Sequence, residues 1–327
     1  MLTVVVVLAL IFDFLNGLHD SSNVVATVIS SRAMHPRMTL ILNGLGNLLG
    51  PLLFGVAVAK TIGEGLLHAQ AITMPVMLAA LIAGILWNLI TWYFGIPSSS
   101  SHALIGGLLG AAITSRGFDV VQLNGLWKIL IALIISPPLG LLTGYFFTKW
   151  IFFLSGLFHL SPRVNNWFRK IQMLTSFSLS LSHGTNDAQK TMGVLTLALY
   201  ISNRIPSFEV PPWVILASAG AIALGTSFGG WRLIHTLGER IFQIKPVHGF
   251  SSQVSGAVVI LGAALLGGPV STTQVMSSCI MGTGAAERIS KVRWQVGQEM
   301  LVAWLITIPI VAVASAGLYF VITQWFI

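Results

Sequence analysis

The chain has 327 residues, of which 55% are hydrophobic and 8% charged, against about 25% charged in an ordinary soluble domain. That balance excludes a soluble fold and describes a polytopic membrane protein; no polar stretch is long enough to fold alone. The formal net charge of +8 raises nucleic acid as a partner, but the basic residues stand in short connections without interleaved aromatics. Cytoplasmic loops obeying the positive-inside rule account for them, and no nucleic-acid role is expected. Cys279 is the single cysteine, which excludes an intrachain disulfide and a thiolate metal site. No cofactor is expected.

A membrane helix needs about 20 apolar residues, and ten runs meet or approach that length: 2–31, 38–59, 74–94, 97–114, 123–148, 171–201, 213–231, 247–267, 269–286 and 299–325. Met1 to Leu10 lacks a basic leader region, so the first run is expected to be a membrane segment and not a cleaved signal. The first and sixth runs, of roughly thirty residues, would reach about 45 Å as helices, beyond a hydrocarbon core of about 30 Å. They are therefore expected to be tilted, broken or folded back. If all ten runs cross, Arg32, Arg37, Lys149, Arg163, Arg169, Lys170, Arg232, Arg240, Lys245, Arg288, Lys291 and Arg293 fall in alternate connections. Those connections are predicted to be cytoplasmic, with both termini outside a plasma membrane and the second half inverted relative to the first.

An internal repeat supports the inversion. Asn16-Gly-Leu-His-Asp-Ser-Ser-Asn23 aligns with His183-Gly-Thr-Asn-Asp-Ala-Gln-Lys190, and Pro97-Ser-Ser-Ser-Ser-His102 with Pro269-Val-Ser-Thr-Thr-Gln274. Asp187 follows Asp20 by 167 residues and Pro269 follows Pro97 by 172. The expectation is an all-α polytopic membrane protein of two inverted-topology repeats, with discontinuous or re-entrant helices meeting at the midplane, the architecture of secondary transporters. Residues 1–148 form the first repeat and 171–327 the second, joined by a cytoplasmic linker at 149–170 within a single transporter domain.

The four motifs carry complementary chemistry. Pro97 suits the first turn of a helix, and Ser98, Ser99, Ser100 and Ser101 after it place hydroxyls and free amides at a positive helix end. Pro269 with Ser271, Thr272 and Thr273 does the same from the other half, so that one tetrahedral oxyanion can be gripped by both. A single hydroxyl cluster would more often bond its own backbone or a neighbouring helix; two matched clusters behind matched prolines favour a site. Asp20 and Asp187 are oxygen ligands for a hard cation such as Na+, and Asn23, Asn186 and Gln189 add amide oxygens beside them. Either carboxylate could instead carry a proton, and Asp187 with Lys190 could be a simple buried ion pair; Lys190, which stands opposite Asn23 in the repeat, either contacts the anion or pairs with Asp187. Asn16, His19, His102 and Gln274 are supporting groups around these ligands, and Asp13, two turns before Asp20, lines the same pathway or caps a bend. Phosphate retains a proton at neutral pH and can donate to a carboxylate whereas sulfate only accepts, so two carboxylates lean toward phosphate.

The paired elements Gly17-Leu-His-Asp20 and Gly184-Thr-Asn-Asp187-Ala-Gln-Lys190, the two Pro-x-Ser-[Ser/Thr]-[Ser/Thr] clusters, Gly230-Trp-Arg232 and Pro246-Val-His-Gly-Phe250 together resemble the inorganic phosphate transporter (PiT) family over nearly the whole chain. The resemblance implies symport of phosphate with Na+ or H+ by an inverted-repeat homodimer in the lipid bilayer. It carries the ion and phosphate ligands to Asp20, Asn23, Asn186, Asp187, Gln189 and the two hydroxyl clusters. His19 stands where that family often has Asn, Gln274 where His is usual, and the large central loop of some members is missing. Against coupled transport stand a sulfate or other oxyanion permease of the same fold, and a phosphate-conducting anion channel. An intramembrane hydrolase using Ser99 or Ser100 with His102 is weaker, because adjacency in sequence does not set catalytic geometry.

Overall fold

A computed structural model describes residues 1–68, 72–159 and 164–325, and they are almost entirely helical. The helices are α1 (Leu2–Ser30), α2 (Pro36–Phe54), α3 (Ala57–Gly65), α4 (Met74–Phe94), α5 (Ser100–Arg116) and α6 (Leu123–Leu157), then α7 (Val164–Ile201), α8 (Pro212–Phe228), α9 (Trp231–His235), α10 (Pro246–Leu265), α11 (Thr272–Glu287) and α12 (Trp294–Trp325). Proline and glycine punctuate them. Pro36, Pro212 and Pro246 open α2, α8 and α10, where the missing N–H costs nothing. Gly95, at φ +66, closes α4 in the left-handed conformation that glycine adopts without strain.

The same order of elements occurs twice. A long helix carries an Asp (α1, α7), and a second helix is followed at a sharp bend by a short one, at 76° between α2 and α3 and at 65° between α8 and the α9 segment. A third helix (α4, α10) leads into a short helix that starts in a hydroxyl cluster (α5, α11), and one 3-10 turn precedes the last long helix (α6, α12). Among the described residues, five helices are long and apolar enough to cross a membrane, and seven spans result if each bent pair counts as one. α7 carries too many polar groups to be counted, and α5 and α11, of 17 and 16 residues, are shorter than a crossing.

The expected interruption at the Asp motifs is corrected. α1 runs unbroken through Asp20 and α7 through Asp187. Their polar side chains are buried and bonded across the bundle, so the backbone ladder has no reason to open. Glycine makes that close approach possible: a Cβ on Gly17 would lie 2.2 Å from the Ile222 carbonyl, and one on Gly184 2.3 Å from that of Asn47. The discontinuities fall instead at 95–99 and 266–271, directly before the hydroxyl clusters. The helices also reach into the stretch expected as a linker, leaving 158–163 between α6 and α7; Arg163, assigned to the cytoplasmic set, lies outside the described residues.

α5 and α11 are almost wholly buried, and each packs on the last long helix of the other half. A Cβ on Gly110 of α5 would meet the Ala312 carbonyl of α12 at 2.1 Å, and one on Gly282 of α11 the Leu141 carbonyl of α6 at 2.1 Å. α6 and α12 turn apolar faces outward, with Ile131, Ile134 and Phe146 on one and Leu305, Ile310 and Val313 on the other exposed to what would be lipid. Leu2 and Val6 of α1 and Leu318 and Ile322 of α12 pack against one apolar cluster, so the outer ends of the two terminal helices lie at the same end of the bundle. At the other end Lys245 and Lys291 bind Glu287 at 2.7 and 2.9 Å, and Arg240 faces Glu299.

Candidate oxyanion and cation site

The N-termini of α5 and α11 converge on α1 and α7 at the level of the two Asp residues. Ser100 donates to Asp20 Oδ2 at 3.2 Å and Thr273 to Asp20 Oδ1 at 2.8 Å. Thr272 is shared: its Oγ1 lies 2.8 Å from Asp187 Oδ2 and 3.5 Å from Asp20 Oδ2. On the α7 side Lys190 Nζ binds Asp187 directly, together with Ser101 Oγ at 2.6 Å and the Val270 carbonyl at 2.8 Å. The N–H groups that open α5 and α11 precede the first hydrogen bonds of their own helix ladders, so two positive helix ends, one ammonium and four hydroxyls face one buried centre.

The two carboxylates are not equivalent. Asp187 is held by Lys190, by Asn186 Nδ2 at 3.0 Å and by His183 Nε2 at 3.0 Å. Asp20 has hydroxyls and His19 Nδ1 at 3.0 Å, with no lysine or arginine on it among the described residues. Ligand atoms of Asp20, His183 and Asp187 lie within 4.8 Å of one another, close enough to share an ion. Asn23 turns its Nδ2 to Thr273, which also bonds Asp20, at 3.0 Å and leaves its buried Oδ1 without a hydrogen bond among the described residues. Carboxylate, hydroxyl and amide oxygens around an uncompensated charge fit a hard cation.

Not every residue expected in the site lines it. Ser99 and Ser271 cap their helices, accepting from the amides of His102 and Gln274 at 3.2 and 3.4 Å. Ser98 reaches Asp20 only through Thr91 and His19, by contacts of 2.9 and 3.3 Å. Gln189 is directed away: its Oε1 accepts from Val58 N at 2.7 Å and its Nε2 donates to the Gly55 carbonyl, so it caps the bend between α2 and α3. Asn186 uses its amide on both the N–H and the carbonyl of Val270. His102 and Gln274 face each other at 3.5 Å, one step behind the hydroxyls. His183 went unassigned in the sequence, although it sits one helical turn before Asp187, and Asn47 fixes its other nitrogen at 3.0 Å.

Residues 16–315 match the model of the phosphate transporter family. The chain belongs to that family. This transporter is 45% identical to a probable low-affinity inorganic phosphate transporter of Bacillus subtilis (strain 168), across 98% of this chain and 97% of that one. It is 43% identical to a protein of the same description from Rhizobium meliloti (strain 1021), across 96% and 94%. A solved structure described as the sodium-dependent phosphate transporter superposes on it with a TM-score of 0.90 at 26% identity, covering 99% of each chain. The transporter is therefore a multi-pass membrane permease and not an enzyme.

Proposed function

We propose that the chain carries inorganic phosphate across the plasma membrane as a symporter with Na+, by alternating access around the centre where α5 and α11 meet α1 and α7. The observation that carries this reading is Thr272, whose hydroxyl touches both carboxylates at the start of a helix. Anion donors and cation ligands are thus interleaved in one place and not separated. Phosphate would be held by Ser100, Ser101, Thr272, Thr273, Lys190 and the first-turn amides, and would donate a hydrogen bond from its own O–H to a carboxylate. Na+ would sit at Asp20 with Asn23 Oδ1, offsetting the anion's charge, so that each ligand raises the affinity for the other. The names of the relatives and of the solved structure support phosphate as cargo and Na+ as the coupling ion.

In this reading the two halves, 1–148 and 171–327, are inverted repeats. α5 and α11 support it, since both begin at the centre, yet Ser115 of α5 bonds Tyr319 near the C-terminal end of α12, and Glu287 of α11 bonds Lys245 and Lys291 at the opposite end of the bundle. That second end, which gathers Arg240, Lys245 and Lys291, would face the cytoplasm, with both termini outside. The homodimer is part of the same reading and is checked by light scattering in detergent. The deciding experiment is uptake of labelled phosphate into proteoliposomes under an imposed Na+ or H+ gradient, with sulfate as competitor. Accumulation above equilibrium driven by Na+ supports the reading. Accumulation driven only by H+ removes Na+, inhibition by equimolar sulfate removes the phosphate assignment, and flux that ignores both gradients makes the protein a channel.

A further inference from the structure

Asp13 lies on α1 two turns before Asp20, is fully buried, and neither of its carboxylate oxygens makes a hydrogen bond among the described residues. The hydroxyls that face it are Thr191 of α7 and Ser218 of α8. Each of these is buried and equally without a hydrogen-bond partner. One turn along α1, the buried Asn16 Oδ1 is also unpartnered. A carboxylate enclosed by a three-helix junction is strongly disfavoured unless it gains partners, and these hydroxyls close no hydrogen bond to it among the described residues. Buried oxygens gathered around one carboxylate, none of them closing a hydrogen bond among the described residues, are what a bound ion would satisfy. The donor set is carboxylate, hydroxyl and amide oxygen, with no imidazole or thiol, which suits a hard cation and not a transition metal.

We propose that Asp13, Thr191 and Ser218, with the amide oxygen of Asn16, form a second alkali-cation site, apart from the central one and displaced along α1 toward its N-terminal end. Asp13 is within electrostatic reach of Asp187 and Lys190, so an ion here relieves the repulsion between Asp13 and Asp187. The site communicates with the centre through charge, without sharing a ligand. Its use in transport rests on the cation-coupled reading above; its occupancy by Na+ does not.

The test is equilibrium binding of radioactive Na+ to the purified full chain, free of phosphate and at mildly alkaline pH. Asp13→Asn is expected to lose one equivalent of bound Na+ per chain, whereas Asp20→Asn keeps that equivalent and loses the central one. Thr191→Ala and Ser218→Ala should each weaken the remaining binding by about tenfold, and they carry the test if Asp13→Asn fails to elute as the wild type. Wild-type stoichiometry and affinity in Asp13→Asn or in both hydroxyl variants would overturn the proposal, and a proton would then be the occupant. Loss confined to Asp20→Asn overturns this site and leaves the central reading standing; loss confined to Asp13→Asn does the reverse.

Discussion

Asp20 and Asp187 occupy equivalent places in two copies of one motif, yet their surroundings differ in charge. Asp187 has Lys190 from its own helix, at the position where the first copy carries Asn23. Asp20 has hydroxyls, two of them, Thr272 and Thr273, supplied by the opposite half. The motif thus occurs twice, and a single replacement separates the copies: one carboxylate is neutralised by Lys190, and in the function proposed here the other is left for an ion. A symmetric site would attract two cations or two lysines; this one can hold a cation and an anion side by side.

The largest effects should come from removing the two charges. Asp20→Asn is expected to lower Na+ affinity, read from the Na+ dependence of phosphate uptake, by about a hundredfold or more. Asp187→Asn should also abolish coupled uptake, by leaving Lys190 unpaired, while both proteins still insert. Asp119→Asn, at an exposed turn, should behave as wild type. A normal Na+ dependence in Asp20→Asn would end the division of labour just described. Next comes Lys190→Met, which strands a buried carboxylate and should destabilise the protein by about 3 to 5 kcal/mol, seen as a lowered thermal unfolding midpoint. Asn23→Ala at the matching position should weaken Na+ without comparable loss of stability; equal losses in the pair would show that both copies are structural.

Gln189→Ala sharpens the comparison from another side. It removes a buried cap from the α2–α3 bend, which should cost about 1 to 3 kcal/mol while leaving Na+ affinity unchanged. A shift in Na+ affinity comparable to that of Asn23→Ala would return Gln189 to the ion site. The smallest effect is expected for Glu287→Gln. Its partners Lys245 and Lys291 are about half exposed, and such pairs contribute about 0 to 1 kcal/mol each. Thermal melts at low and high salt should differ less for the variant than for wild type.

Much of this was legible in the residues. Apolar run lengths located the helices, and prolines and glycines marked several of their ends. The repeat brought Asp20, Asp187 and the hydroxyl clusters together because two imperfect copies at nearly equal spacing are hard to produce otherwise. What the chain concealed has physical causes. Val270 contributes a backbone carbonyl to Lys190 and Asn186, and a carbonyl leaves no trace in residue type. Gln189 and Asn186 look like ligands because amides serve ligation and capping equally well. The polar stretches of α1 and α7 suggested broken helices, but a helix breaks when its backbone needs other partners, and here only the side chains do. The real breaks precede the hydroxyl clusters, where Ser99 and Ser271 begin new helices.

The crossed packing of α5 on α12 and of α11 on α6 has a consequence for how the molecule is made. During synthesis the first half is complete long before α12 exists, so α5, with its hydroxyls and small residues, must wait in the membrane without its neighbour. Gly110 meets Ala312 only when the last helix has been inserted. The N-terminal turn of α5 is therefore held in place only at the end of biogenesis, and a chain cut short before α12 would carry most of the residues of the proposed site and still lack the wall that packs against α5.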